Sequence, residues 1–291
     1  MDRSSEFVKN KALFGGFPIQ DEVKEFESVG VRYFINLTCD GERRTVPYKT
    51  KYKYIQYPII DHRVPTNWRE FAKFIVRVVD IIKALPCGEK IYVHCKGGHG
   101  RSGIVVACVL CYMYGISASD AIAKTTKYHS RRKKMREKWR KIGSPQTRSQ
   151  KHFVSRFFES IYVYEVPNNY FSSDFSNNAR VSVDIPGLGE FSTVDEAFIR
   201  LRELFNSDSG GLVSKFTTES WEDVKQKFMY EILKYKFEQH DSLRVKITET
   251  GLRRIIVQSP DLFWGRSGNV GRNVLGELLE NLREYFYRQL N

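Results

Sequence analysis

The sequence lacks an apolar stretch long enough to cross a lipid bilayer. Its longest apolar run, Ile104 to Tyr114, is about half as long as the roughly 20 residues that a membrane-spanning helix needs. The first ten residues are polar and contain no apolar core of the kind found in a secretory signal. These absences predict a soluble protein of the cytoplasm or nucleus, with no membrane partner.

Cysteine is scarce, and its spacing fits neither a disulfide framework nor a zinc site. An odd number of cysteines cannot pair completely within one chain, so a reducing compartment is expected. At least one thiol is then free to act as a nucleophile. The five cysteines are Cys39, Cys87, Cys95, Cys108 and Cys111.

Acidic residues are also under-represented, with 34 against 47 basic ones, a net charge of +13. The imbalance lies in one half of the chain. Residues 1–165 hold 31 basic and 16 acidic side chains, whereas residues 166–291 hold 16 and 18. The densest basic run is "RRKKMREKWRK" at 131–141. This run indicates either an acidic partner such as nucleic acid or a solvated helix face, and charge alone does not decide between them.

Strand and helix patterns alternate along the first half of the chain, which predicts an α/β fold with a mostly parallel sheet flanked by helices. Stretches rich in β-branched and aromatic residues read as strands at 31–38, 53–60 and 90–95. Helical spacing of apolar residues occupies 66–85, 102–114, 117–129 and a stretch from Pro145 that extends towards 165.

The amino-acid composition changes near Val166, where Asn and Ser become frequent and the apolar periodicity is lost. We therefore expect two domains, residues 1–165 and residues 166–291. Amphipathic helix patterns at 219–240 and 274–290 predict that the second domain is mixed but mostly helical.

One short stretch of the first half, "VHCKGGHGRSG" at 93–103, carries the clearest chemical signal. A strand, a glycine-rich turn and a helix start together form an anion site, because backbone N–H groups and the helix dipole favour negative charge. Glycines let the backbone fold closely around a phosphate. The same field stabilises a thiolate at Cys95, and the planar guanidinium of Arg101 can bind two phosphate oxygens.

These residues resemble the Cys-x5-Arg phosphate loop of the cysteine-dependent protein tyrosine and dual-specificity phosphatases. The resemblance implies that Cys95 attacks phosphorus and that the loop cradles the phosphate without any metal or cofactor. It further implies that the Ser102 hydroxyl helps the thiolate to leave from a cysteinyl-phosphate intermediate. The residues that would contact the phosphate are Lys96, Gly97, Gly98, His99, Gly100 and Arg101.

Two further segments resemble parts of the same family. "YPIIDHRVP" at 57–65 is similar to the loop that carries the general acid, which assigns that role to Asp61. "PQTRSQKHFV" at 145–154 is similar to the Gln-Thr-x-x-Gln segment, which assigns to Gln146 the placement of the hydrolytic water. Phosphoprotein is the substrate that the family implies.

Several questions stay open from the sequence. The compact first half resembles the dual-specificity branch, but tyrosine-only specificity also fits. Lys96 and the basic run are compatible with RNA or DNA 5′-phosphates as the substrate instead. His94 is expected to support the loop from behind, and His99 either adds positive charge to the loop or faces solvent.

The second half resembles the NADAR superfamily, whose members cleave N-glycosidic bonds of ADP-ribosyl and nucleotide compounds. The similar segments are 170–178, 191–198, 221–243 and 259–283. The resemblance implies an ADP-ribose-like ligand and a carboxylate near the glycosidic carbon.

The chain departs from the NADAR pattern at the expected carboxylate. Asp195 and Glu196 replace the family Glu-His pair, and Arg266 replaces an acidic residue, whereas Trp264 and Asn273 are retained. The candidate pocket therefore comprises Asp195, Glu196, Trp264 and Asn273. Either the domain is an inactive relative that binds a ligand or acts as a scaffold, or it is an N-glycosidase with altered specificity.

Overall fold

The computed structural model describes residues 2–165, 173–207 and 220–289. The chain divides into two compact units, Met1–Glu159 and Ser160–Asn291. The domain boundary expected at Val166 lies outside the described residues.

A five-stranded sheet forms the centre of the first unit. Its strands are β1 (Ser4–Val8), β2 (Ala12–Gly15), β3 (Val31–Asn36), β4 (Lys53–Gln56) and β5 (Lys90–His94). They lie in the order β1–β2–β5–β3–β4, and every neighbouring pair except β1–β2 is parallel. The predicted mostly parallel sheet is therefore present.

Six helices accompany this sheet. They are α1 (Gln20–Ser28), α2 (Trp68–Ala84), α3 (Arg101–Tyr114), α4 (Ala118–Ser130), α5 (Glu137–Ile142) and α6 (Arg148–Phe157). Two of them have side-chain caps: Asn67 and Ser117 accept hydrogen bonds from backbone N–H groups in the first turns of α2 and α4. Gly115 ends α3 in a left-handed conformation with φ of 62°.

The register of the central strand places the site. His94, the last residue of β5, lies opposite Gly15 of β2 on one side and Asn36 of β3 on the other. Because parallel strands end at the same edge of a sheet, the loops that follow these three strands meet there. Cys95 begins the loop after β5 and so lies in the middle of that edge.

Strand β4 is shorter than the predicted 53–60. It ends at Gln56, and residues 57–65 continue as a loop. Pro58 has no N–H to donate to a sheet ladder, which accounts for the early end. The start of the loop is still held to the sheet, because Tyr57 N donates to Asn36 O and Ile59 N donates to Leu37 O.

The second unit contains two small sheets and four helices within the described residues. The parallel pair comprises β6 (Ile161–Tyr164) and β9 (Ile255–Gln258), and the antiparallel pair comprises β7 (Val183–Ile185) and β8 (Gly189–Phe191). The helices are α7 (Val194–Asn206), α8 (Trp221–Gln239), α9 (Asp241–Glu249) and α10 (Val274–Gln289). None of the described helices combines the length and apolar character needed to cross a bilayer.

The prediction of a helical stretch extending to 165 was wrong beyond α6. Residues 161–164 form strand β6, which pairs with β9 and so belongs to the second unit. The segment Ile-Tyr-Val-Tyr consists only of β-branched and aromatic residues, which favour a strand.

Candidate active site

Cys95 is buried at the start of the glycine loop, with 3% of its surface exposed. The Gly98 N–H donates to Cys95 Sγ at 3.3 Å, and the Ser102 hydroxyl oxygen lies 3.6 Å from the same sulfur. A backbone donor and a hydroxyl group of the loop therefore both lie within hydrogen-bonding distance of the sulfur. The geometry is that of a nucleophile held under a backbone cradle.

The cradle is kept open by groups that hold the loop carbonyls from outside. In a planar trans peptide the C=O and the following N–H point in opposite directions. A carbonyl held outward therefore turns the next N–H inward, towards a bound anion. The outward bonds run from Phe17 N to Lys96 O at 3.0 Å, from Arg132 Nη1 to Gly98 O at 2.8 Å, and from Ser144 Oγ to His99 O at 2.6 Å.

We predict that Gly98→Ala lowers the free energy of unfolding by about 2–4 kcal/mol, because φ is +75° and an added Cβ would lie 2.3 Å from the Gly15 carbonyl carbon. Gly88→Ala is the matched control, since Gly88 also has a positive φ (+83°) but no atom within 4 Å of its Cβ position. Its expected loss is about 1–2 kcal/mol. Urea unfolding measures both, and equal losses would contradict the steric explanation.

Arg101 is the most enclosed charge of the site, with 1% of its side chain exposed. Its two terminal nitrogens donate to both oxygens of Glu42, at 2.6 and 2.8 Å, and Nη1 also donates to Ile59 O at 3.0 Å. Burial alone would lower the pKa of Arg101. The Glu42 hydrogen bonds and the nearby Cys95, Asp61 and Glu42 charges outweigh that effect and hold the pKa above its usual value.

Asp61 lies over the loop and is 41% exposed. Its Oδ1 is 2.9 Å from Arg101 Nη2, and its Oδ2 is 4.0 Å from Lys96 Nζ. The structure thus brings the predicted acid to the predicted phosphate-binding arginine across 40 residues of sequence. A carboxylate at this position can reach both a leaving oxygen and a water molecule at the open side of the cradle.

The two glutamines of the 145–154 segment differ in their contacts. Gln150 is buried, its Nε2 donates to Arg63 O at 3.3 Å, and its amide lies against Gly100. Gln146 is half-buried and makes no side-chain hydrogen bond within the described part of the chain. Its placement of water therefore stays a prediction, whereas Gln150 joins the phosphate loop to the acid-bearing loop.

His94 packs behind the loop and is fully buried. Its Nε2 is 2.7 Å from the Tyr48 hydroxyl oxygen, and burial lowers the pKa of His94 to about 3. The imidazole is therefore neutral near pH 7. The tyrosine partner was not foreseen from the sequence.

The His99 side chain lies between two ring partners. Its Nδ1 is 2.7 Å from His129 Nε2, and its ring stacks on Trp139 with centroids 4.7 Å apart. Burial, followed by the Arg132 charge, lowers the pKa of His99 to about 4. The ring is thus neutral near pH 7 and half-buried, so its side chain adds no charge to the loop.

The basic run 131–141 is not a uniform solvated helix face. Arg132 is buried beneath the phosphate loop, and only residues 137–141 belong to helix α5. Beside the loop lies a cavity of about 210 Å³, and none of the described residues that line it is a carboxylate. Its five cationic lining residues are Arg3, Lys96, Arg132, Lys134 and Arg136.

In the second unit, the four candidate residues divide into two kinds. Asn273 is fully buried and its amide bonds the β9 backbone, at Val257 N (2.8 Å) and Ile255 O (2.9 Å). Glu196 caps α7 by accepting from Ser192 N at 3.0 Å. These contacts give both side chains structural roles that the sequence did not indicate.

Asp195 and Trp264 remain as candidates for ligand contact. Asp195 is half-buried, and burial, followed by the Glu196 charge, raises the pKa of Asp195. Phe198 lies one turn further along the same face of α7 and packs edge-on against Trp264, with ring centroids 5.4 Å apart. Phe198 therefore contacts the indole ring from the face of α7 that also carries Asp195.

The sequence did not assign three residues of the first unit to the site, namely Glu42, Tyr48 and Arg132. Glu42 gave a weak signal, since it follows β3 and loops after neighbouring parallel strands converge. Tyr48 gave none. Arg132 was concealed within a charged run, where one buried arginine looks like the exposed ones around it.

Comparison with known proteins places both units in families. The family model of the DSP-PTPase phosphatase domain of Swiss Army Knife proteins matches residues 6–154, and the NADAR domain model matches residues 196–287. Protein 197R of Invertebrate iridescent virus 6, named as a candidate tyrosine phosphatase, is 35% identical over 282 residues, covering 96% of this chain and 90% of the viral protein.

Two other relatives each match one part of the chain. Protein 067L of Invertebrate iridescent virus 3, also named as a candidate tyrosine phosphatase, is 39% identical over 160 residues, which cover 54% of this chain and 66% of that protein. The N-glycosidase YbiA of Shigella flexneri serotype 5b (strain 8401) is 42% identical over 73 residues, which cover 24% of this chain and 46% of YbiA. With the Cys95 cradle, the Arg101–Asp61 pair and a family match over residues 6–154, the chain belongs to the dual-specificity-type protein tyrosine phosphatases, and a NADAR domain follows its phosphatase domain.

Proposed function

We propose that the first unit hydrolyses phosphate monoesters of protein tyrosine, serine and threonine, with the reaction carried out at Cys95. The observation that carries this proposal is the single assembly of a buried sulfur, the Gly98 N–H that donates to it and the Arg101–Asp61 ion pair at 2.9 Å. A phosphoryl group seated in the cradle would present its phosphorus to Cys95 Sγ and its equatorial oxygens to the loop.

The first step transfers the phosphoryl group to sulfur. The Cys95 thiolate forms a bond to phosphorus while the bond from phosphorus to the ester oxygen breaks. Asp61 donates its proton to that leaving oxygen, and Arg101 binds the developing charge. Because Asp61 and the phosphoryl oxygens share Arg101 Nη2, an entering phosphate competes with Asp61 for this nitrogen and leaves Asp61 free to face the leaving group.

The second step hydrolyses the cysteinyl-phosphate. Water placed with the help of Gln146 gives a proton to the Asp61 carboxylate and attacks phosphorus, and the bond from phosphorus to sulfur breaks. The Ser102 hydroxyl, 3.6 Å from the sulfur, donates a hydrogen bond to the departing thiolate. Free phosphate and the starting enzyme result.

We expect Asp61→Asn to lower kcat by about 10²–10⁴-fold on a phosphotyrosine peptide, because its basic leaving oxygen needs a proton. The loss should be far smaller on an aryl phosphate with an acidic phenol, which leaves without protonation. Steady-state kinetics on both substrates measures this difference. Asp21→Asn, an exposed carboxylate on α1, is the control and should match wild type, whereas equal losses on both substrates would contradict the general-acid role.

The surroundings of the loop favour an anionic protein segment as substrate. The cavity beside the loop presents the exposed cationic side chains of Lys134 and Arg136, and phosphopeptides with acidic flanking residues complement them. A 5′-phosphorylated oligonucleotide is the competing substrate, and the basic run could hold its backbone. If kcat/KM for the oligonucleotide exceeds that for acidic phosphopeptides and falls steeply with salt, the protein assignment is wrong.

We propose that the second unit binds a ligand of the ADP-ribose or nucleotide class between Asp195 and Trp264. Support comes from the half-buried carboxyl group, whose pKa is raised, and from the indole ring that packs against Phe198, one turn after Asp195 on α7. An indole ring can stack on a base, and a carboxyl group with a raised pKa can hydrogen-bond or protonate a glycosidic group.

Trp264→Ala is expected to weaken ADP-ribose binding roughly tenfold or more, since base–aromatic stacking contributes about 1–3 kcal/mol. Asp195→Asn should weaken binding as well, or remove hydrolysis if the unit cleaves an N-glycosidic bond. Calorimetry with ADP-ribose, together with an assay for ADP-ribose released from modified guanine, measures both effects. Glu203→Gln, an exposed carboxylate further along α7, is the control, and equal behaviour of all three variants would exclude this site.

A further inference from the structure

Arg132 occupies an unusual position for a residue in a strongly basic run. It is 2% exposed, and it lies 31 residues after Arg101, at the end of helix α4. Its Nη1 donates to Gly98 O at 2.8 Å, its Nη2 to Phe14 O at 3.3 Å and its Nε to Ser5 Oγ at 3.4 Å. The guanidinium thus ties the phosphate loop to the first two strands of the sheet.

The bond to Gly98 controls the direction of one peptide group. The Gly98–His99 peptide is trans, so its carbonyl and the His99 N–H point opposite ways. Gly98 has φ of +75°, and without a Cβ it could turn this peptide over at little steric cost. A turned peptide would aim a carbonyl oxygen at the phosphate in place of an N–H donor. The Arg132 bond opposes this rotation.

The charge of Arg132 is not neutralised by an acidic partner. Within the described residues no carboxylate pairs with it, and its guanidinium lies 4.4 Å from the centroid of the Phe14 ring. Burial lowers the pKa of Arg132 to about 10, so the group stays charged near pH 7. A buried cation without a counter-ion is costly by itself, but it stabilises an anion bound on the other side of the loop.

We propose that Arg132 is a positioning residue of the phosphatase reaction, which holds the Gly98–His99 peptide so that the His99 N–H faces the phosphoryl group. It acts through the loop and does not touch substrate. The proposal rests on the proposed reaction at Cys95. The His99 N–H then provides one more hydrogen-bond donor to the oxygens of the phosphoryl group, in its tetrahedral form and in its trigonal-bipyramidal form.

The test compares Arg132→Met, Arg132→Lys and Arg131→Met in the full chain. Arg132→Met keeps much of the side-chain length but removes the donors, so kcat should fall on the order of 10²-fold, the scale for losing one preorganised donor. Competitive inhibition by inorganic phosphate and by vanadate should weaken, with vanadate losing more because it mimics the transition state. Arg132→Lys restores a donor and the charge, and should recover part of both losses.

Arg131 is the matched control, because it is exposed, carries the same charge and lies next to Arg132. Arg131→Met should keep wild-type kcat and wild-type inhibition constants. A merely structural role for Arg132 would lower the melting temperature without changing the ratio of vanadate to phosphate inhibition. If that ratio is unchanged in folded Arg132→Met or Arg132→Lys, or if Arg131→Met behaves like Arg132→Met, the proposal is wrong. Wild type that hydrolyses no phosphate ester would instead refute the proposed reaction itself.

Discussion

Cys95→Ser is expected to reduce hydrolysis of p-nitrophenyl phosphate by on the order of 10⁴-fold or more, the scale seen when an enzyme loses its nucleophile. A serine hydroxyl at this position has no adjacent base, because His94 is held behind the loop by Tyr48 and Asp61 lies on the leaving-group side. The variant should still bind a phosphotyrosine peptide, since backbone N–H groups and Arg101 form the cradle. Steady-state rates and peptide binding by calorimetry measure the two effects.

The control for this variant is Cys87→Ser, because Cys87 is an exposed cysteine of the same unit. It should retain wild-type kcat and KM. If Cys95→Ser keeps more than a small fraction of wild-type activity, Cys95 is not the nucleophile. Loss of both activity and phosphopeptide binding would mean that the loop has collapsed, not that only the nucleophile is missing. The melting temperature of the variant separates these two outcomes.

Arg101→Lys is expected to lower kcat by about 10²–10³-fold, which corresponds to about 2.7–4 kcal/mol of transition-state stabilisation. Lysine preserves the charge but not the planar fork that binds two oxygens. Lysine also lacks the two terminal nitrogens that donate to the two oxygens of Glu42, at 2.6 and 2.8 Å. Arg77→Lys on the exposed side of α2 is the control and should behave like wild type.

Glu42 should act only through Arg101, and a double-mutant cycle tests this. Glu42→Gln keeps the shape of the side chain but removes its charge, so we expect a loss in kcat of roughly tenfold. The double variant Arg101→Lys/Glu42→Gln should be no slower than Arg101→Lys alone. Additive losses would mean that Glu42 has an independent role in the reaction, and kcat of the four proteins decides the question.

The sequence predicted the first unit well where local signals were strong. Alternating strand and helix patterns predicted the mostly parallel sheet that is present. Prediction failed where the deciding contact is distant. Residues 161–164 form a strand because β9, nearly 100 residues later, supplies their partner. No local pattern in a stretch that follows a helix announces such a pairing.

The candidate site divides in the same way. Cys95, Arg101 and Ser102 are fixed by a single strand, a glycine turn and a helix start, so eight consecutive residues contain the whole cradle. The resemblance to a known family also predicted Asp61, which pairs with Arg101 at the edge of the sheet where Cys95 lies. The sequence left the role of the His99 side chain open, because its environment depends on His129 and Trp139, which lie 30 and 40 residues further along the chain.

By itself, the sequence determined the reaction class of the first unit, because a phosphate loop is a local structure made mainly of backbone. Only the tertiary structure decided how that loop is held. Glu42 accepts a hydrogen bond from Arg101, 59 residues away in sequence, and Arg132 donates one to Gly98 O, 34 residues away. Both contacts arise because loops from separate elements converge at one edge of the sheet, and burial then strengthens their charges. A run of basic residues in a sequence does not reveal which member will be buried, since burial depends on the packing of the whole unit.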